Sequence, residues 1–275
     1  MIALAVTSPN AIAKRLTGRD YVSYSAISTY CQCPLKYAFK YIEGLPEETI
    51  SSSLAFGRAV HAAAEHHFNE LMSGAPPPDQ DSLLSAFWDA WRSVAKEGVI
   101  KYGKGEDTAS LQQTAERVLT AFRLSDLAHP TGRLIGVEEE LRGSLVPGVP
   151  DLLARIDLIF ETDEALVVRD FKTSRSRWHD GQAENQAEQL LLYSELTRQL
   201  IPGKSLQLEF AVFTKTKEPT VERHPVLHDP RRIARTKRVI ERVWQAIESN
   251  LYYPAPSAMS CPGCPYRKPC RAWSG

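Results

Sequence analysis

No uncharged apolar run in the 275 residues approaches the ~20 needed to cross a bilayer, so a membrane-spanning helix is not expected. Charges follow the first apolar run, in MIALAVTSPNAIAKRL, instead of preceding it. That argues against a signal peptide and places the chain in the cytoplasm. Charge of one sign is not in excess: 33 Lys and Arg face 33 Asp and Glu, unlike a protein that coats DNA non-specifically. A local field near a cleft can still attract DNA. The basic stretch at 231–242, RRIARTKRVIER, spreads its cations around a helix and reads as a solvated face. The glycine that a P-loop needs five residues before its lysine is missing, because Gln199 stands there ahead of Gly203, Lys204 and Ser205. The chain carries no helicase engine, and any unwinding falls to another protein.

Cysteine is absent from 34 to 260. The five that exist sit near the two ends: Cys31, Cys33, Cys261, Cys264 and Cys270. A disulfide framework scatters its cysteines along a short secreted chain, so metal binding is the better reading here. Cys261, Cys264 and Cys270 form C-x₂-C-x₅-C, and the fourth thiolate has to come from Cys31 or Cys33. Spacing alone leaves zinc and an iron–sulfur cluster equally open.

Helical patterns fill the first part of the chain. One starts at Ser23 or Ser25 and runs through Phe39 despite Pro34; others cover 56–72, 81–97 and 109–127. The pattern then changes. Strands are predicted at 134–141, 152–160 and 165–171, a helix at 184–200 ended by Pro202, strands at 206–214 and 220–226, and a helix at 229–251. The order implies one α/β core with a helical N-terminal lobe.

The chemistry concentrates at 154–174, ARIDLIFETDEALVVRDFKTS. Asp157 lies in one predicted strand and Asp170 at the end of the next, so the hairpin brings them together. Lys172, two residues on, points to the same side as Asp170. Two carboxylates are hard oxygen ligands for Mg²⁺ or Mn²⁺. Such a metal polarises a phosphate and acidifies a water, and a neighbouring lysine orients that water or steadies phosphoryl charge. Asp151 is a rival carboxylate, and Glu138 in VEEEL could approach the site, but the three adjacent glutamates leave it unassigned.

RIDLIF and VVRDFKTS resemble the core of the RecB-like branch of the PD-(D/E)XK nucleases, which includes RecB and AddB nuclease domains, CRISPR-associated exonucleases and phage nucleases. Where that family carries glycine three residues before the first aspartate, this chain has Ala154. FGRAVHAAAEHHF at 56–68 resembles the family's G-x-x-x-H helix and implies His61 as a metal ligand. QLLLYSEL at 189–196 resembles its Q-x-x-x-Y motif, which implies Gln189 beside the active site and Tyr193 near DNA, where its ring could stack on a base. CPLKY at 33–37 resembles the early cysteine segment of the iron–sulfur members. The resemblance covers about 25–272.

It implies an α/β fold, a restriction-endonuclease-like mixed central sheet flanked by helices, with a helical lobe at 1–132 carrying Cys33 and His61. The nuclease core would span 133–255 and the cysteine cluster 256–275. It implies a metal held by His61, Asp157, Asp170 and the carbonyl of Phe171, with Lys172 and Gln189 assisting. It also implies a [4Fe–4S] cluster on Cys33, Cys261, Cys264 and Cys270. The expected activity is a metal-dependent exonuclease on single-stranded DNA or DNA ends, in repair, recombination, replication or CRISPR adaptation. A helicase, recombination or CRISPR protein is the implied partner. The rival readings are a catalytically silent iron–sulfur module that grips DNA ends and a zinc-stapled interaction domain. Retention of Asp-x-Lys together with the histidine favours the enzyme.

Overall fold

The computed structural model describes residues 8–198, 200 and 203–275. The first apolar run up to residue 7, Gln199 and the expected helix stop Pro202 lie outside the described residues. The chain begins with a helix the sequence reading did not assign, α1 (Pro9–Thr17). The Ser8 side chain caps it, Pro9 starts it, and left-handed Gly18 ends it. A short β1 (Val22–Ser23) leads into α2 (Tyr24–Gln32), capped by Ser23. The helix expected to run on through Pro34 stops at Cys33, because proline has no N–H to donate to the preceding turn. Pro34 instead opens α3 (Pro34–Tyr37), which widens into a π turn over Ala38–Ile42.

Then come β2 (Thr49–Ser51), α4 (Ser52–Met72), α5 (Gln80–Glu97), β3 (Val99–Lys101) and α6 (Thr108–Arg123). The expected strands follow as β4 (Arg133–Gly143), β5 (Leu152–Glu161) and β6 (Ala165–Ser174). The helix expected at 184–200 is divided into α7 (Gln182–Asn185) and α8 (Glu188–Thr197). β7 (Ser205–Thr214), β8 (Val221–Val226), α9 (Pro230–Glu248) and α10 (Arg267–Ala272) complete the chain.

Packing groups these elements into two compact units, each built from separate stretches of the chain. The first unit holds residues up to 48, 140–154 and 230–275; the second holds 49–139 and 155–229. Cys33 and His61 therefore belong to different units, although both lie within the lobe expected from the sequence.

In the first unit the two ends of the chain meet. Tyr30 donates its hydroxyl to the carbonyl of Leu251, and the N–H of Leu35 donates to that of Tyr253. Asp151, the rival carboxylate, accepts from Asn10 and pairs with Arg142, which also reaches Asp20. Asp151 thus serves as a structural brace.

In the second unit β6 is the centre of a mixed sheet. It pairs antiparallel with β5 and parallel with β7 over its ten residues, and β7 pairs antiparallel with β8. β4 pairs with β5. Leu166, Val167, Val168 and Phe171 of β6 are buried, as expected for a strand covered on both faces. α4 lays Phe56, Ala59, Val60, Ala63 and Phe68 into the core at helical spacing, against Leu83, Phe87 and Trp91 of α5. Phe68 stacks on Phe171 at 5.8 Å, which fixes α4 beside β6. Truncating such a buried phenylalanine costs about 3–5 kcal/mol.

Candidate active site

The β5–β6 hairpin turns at Thr162, whose N–H donates to the carbonyl of Ala165. The strand register pairs Leu158 with Arg169, so the next pair outward sets Asp157 opposite Asp170. Both carboxylates are buried, at 8% and 6% exposure. Two and a half turns into α4, His61 brings Nδ1 to 3.3 Å from Oδ1 of Asp157. The other oxygen of Asp157 accepts the N–H of Phe171 at 2.5 Å. Glu138 of β4 completes the group: its carboxylate, His61 and Asp157 offer ligand atoms within 4.8 Å of one another.

Glu138 is the site residue that sequence reasoning left unassigned. Its φ is +50°, a left-handed conformation that few non-glycine residues adopt. This local reversal decides which of the three consecutive glutamates turns to the site. No sequence signal marks it beyond the run of glutamates itself.

The electrostatics are those of a site short of positive charge. Burial pushes Asp170 upward and the charge of Asp157 adds to it, against the pull of Lys172. Burial and Asp157 raise Glu138 to about 7. Burial opposes charging of His61, yet Asp157, by charge and hydrogen bond, overrides it and lifts the imidazole to about 9. Asp157 is held low because His61 and the Phe171 N–H outweigh its burial. Lys172 Nζ pairs with Oδ2 of Asp170 at 2.5 Å. A buried carboxylate paired with a lysine, next to three converging donor atoms, suits a divalent cation with oxygen and imidazole ligands. Metal is the natural partner of this donor set.

Gln189 and Tyr193 lie one turn apart on α8, and Gln189 Nε2 donates to the Tyr193 hydroxyl at 3.3 Å. Tyr193 feels the charges of Asp170 and Asp157, which together with burial raise its pKa. Its ring is only 5% exposed. Little of the ring is open in this structure, while its hydroxyl meets Gln189.

The sequence profile of the PD-(D/E)XK nuclease superfamily matches residues 21–271. The chain belongs to the PD-(D/E)XK nuclease superfamily. Nucleases of this superfamily use divalent metals, in keeping with the donor set just described. A solved structure described as a putative exonuclease, from Eubacterium rectale, shares the fold of this chain. It is 16% identical, with a TM-score of 0.57 over 100% of this chain and 94% of that one. The structure of SSO0001 is 15% identical, with a TM-score of 0.40 over 83% of this chain and 88% of that one. No curated protein matches the sequence.

The cysteines form a separate group in the first unit. Cys33, Cys261, Cys264 and Cys270 line one cavity of about 250 Å³, with Leu35, Phe39 and Tyr266 as an apolar wall. Burial pushes the Cys270 thiol up, and Cys33, Cys264 and Cys261 each add to the shift. Cys31 is exposed and does not line this cavity.

Proposed function

We propose that this nuclease is a deoxyribonuclease that shortens single-stranded DNA or DNA ends in the presence of Mg²⁺ or Mn²⁺. The observation that carries the reading is the convergence of His61, Glu138 and Asp157 beside Asp170 and Lys172. His61, Asp157, Asp170 and the Phe171 carbonyl hold the metal, and Glu138 joins them. The cation supplies Lewis acidity at the scissile phosphate and acidifies a water. Lys172 orients that water from its Nζ and steadies charge on the phosphoryl oxygens. Tyr193 holds Gln189 in place, and Gln189 in turn positions Lys172 or the substrate. Burial of the carboxylates strengthens each of these interactions.

The test is incubation of the protein, purified without oxygen, with end-labelled DNA in Mn²⁺, Mg²⁺ or EDTA. The expected result is degradation with metal, none in EDTA, and a product ladder shortening from one end. Rapid cutting of circular single strands would overturn the exonuclease assignment. DNA binding without cleavage in any metal would favour the silent end-binding module.

We infer further that the cysteine cavity holds a [4Fe–4S] cluster. In a zinc site, Zn–S bonds of about 2.3 Å set the sulfurs about 3.8 Å apart. Among the described residues, no three of these thiols gather within 4.8 Å, and the cavity is larger than a single ion needs. Cys33→Ser is expected to lose most of the bound iron, and Cys31→Ser to retain it, by metal analysis and visible absorbance. Zinc in place of iron would sink the assignment.

A further inference from the structure

Ser53, Gly57, His61 and Glu65 follow one another at four-residue spacing and so share one face of α4. Gly57 lies so close to β6 that a Cβ there would meet Thr173 Oγ1 at 3.2 Å. This face therefore runs along the end of the strand that carries Asp170 and Lys172. Ser53 lies about 12 Å from His61 along the helix, at a rise of about 1.5 Å per residue.

Two cations meet at Ser53. Lys215 follows the last residue of β7, and its N–H donates to the carbonyl of Ser174, the last residue of β6. Its Nζ donates to Ser53 Oγ at 3.3 Å and lies over the Phe56 ring at 5.2 Å. Arg175, the next residue of the β6 strand end, reaches the same Oγ at 3.5 Å. Among the described residues neither cation has an ion-pair partner within 4 Å. Glu106 is near enough to favour the charge on Lys215, but its Oε2 accepts from Ser52 Oγ and from the N–H of Gly103. Burial, and after it Arg175, disfavour the charged lysine. Two like charges sharing one neutral hydroxyl repel each other, and a carboxylate already held by two donors offsets this only in part. The arrangement calls for an anion.

We propose that Lys215, Arg175 and Ser53 form a second phosphate subsite, which takes a backbone phosphate of the bound strand beyond the one that is cut. This rests on the nuclease reading above and adds the grip that sets how far the strand is drawn past the metal site. Lysine supplies a point charge, arginine a fork of N–H donors, and serine a hydroxyl, a combination suited to non-bridging phosphate oxygens. Such contacts position the strand without reading its bases. The competing role for the cluster is a purely structural lock between α4 and the strand ends, with Glu106 as its counter-ion.

The experiment measures binding of fluorescent oligothymidylates in Ca²⁺, each carrying one neutral methylphosphonate at a different position. Wild type is expected to lose about tenfold in affinity at one internal position. Lys215→Met and exposed Arg175→Gln are expected to weaken the unmodified strand to a similar extent, to lower the salt slope by about one, and to abolish sensitivity at that position. Lys215→Arg should restore part of it. In Mg²⁺, KM should rise in these variants while kcat changes less than about twofold.

Unchanged binding, salt slope and position dependence in both variants, with unchanged melting temperatures, would overturn the subsite. A lowered melting temperature in Lys215→Met with wild-type binding in Arg175→Gln would assign the cluster to structure. Wild-type binding without cleavage would refute the nuclease reading and leave the subsite measurable. Failure of the wild type to bind any of these strands would overturn both.

Discussion

Asp170→Ala is expected to lower metal-dependent cleavage by about a thousandfold or more without loosening the fold. The carboxylate sits at 6% exposure beside the like charge of Asp157, so in the metal-free protein its ionised form is a cost to the folded state. Its pKa is raised in the folded chain, by burial first and then by Asp157. A carboxyl with a raised folded-state pKa destabilises the fold once the pH exceeds its unfolded value, so at neutral pH the neutral replacement removes a penalty. The metal-free melting temperature of the variant should equal or exceed that of wild type. Lys172 loses its partner but is half-exposed and is solvated instead. Asp170→Asn, of the same shape, should behave alike. Single-turnover cleavage beside a thermal melt in EDTA decides the matter. Activity within tenfold of wild type would remove Asp170 from the metal site, and a large drop in melting temperature would make it a structural residue.

Glu209→Ala is expected to cost about 3–5 kcal/mol of folding stability, as much as truncating a buried aromatic. Arg169, 1% exposed, lies in β6 and bonds Glu209 of β7 at 2.6 Å, the carbonyl of Leu127 at 2.8 Å, and the face of Phe160. Removing Glu209 strands a guanidinium in the sheet, with burial already pressing its pKa down. A domain holds only about 5–15 kcal/mol in total, so this variant should be largely unfolded in mild denaturant. The double change Arg169→Met with Glu209→Leu should recover much of the loss, because it removes both charges at similar volume. Denaturant midpoints of the three variants test this. A single change costing under about 1 kcal/mol would show that penetrating water solvates Arg169 once its partner is gone.

The carboxylate hairpin was legible because its logic is local: period-two strands, a short turn, and a lysine two residues beyond an aspartate. His61 was legible through its helix motif, and the central strands through their apolar runs. Glu138 was not, since the left-handed backbone that selects it arises from strand geometry and leaves no composition mark. Nor were β1, β2 and β3. They are two or three residues long and exist through pairing with distant segments, Val22 with Leu152 and Thr49 with Val99. Such strands carry no local periodicity. α1 carried its signals in plain view, serine, proline and then glycine, but followed an apolar run that drew attention to targeting instead. Tyr193 shows the limit of motif transfer: the motif led to the right helix, but only burial tells which end of the side chain is available.

The left-handed turn at Glu138 has a bearing on which ions the enzyme can accept. Asp170 sits mid-strand in β6, which is hydrogen-bonded to a neighbour on each side, and Asp157 is clamped by His61 and the Phe171 amide. Those donors are stiff. Glu138 stands on β4, which pairs with β5, and its φ of +50° bends that strand at the donor. A small cation demanding near-octahedral order and a larger one of looser habit differ by a few tenths of an ångström in bond length. On the ligand set proposed above, that difference falls on the donor carried by the bent strand, so the choice between the two cations is expected to depend on Glu138.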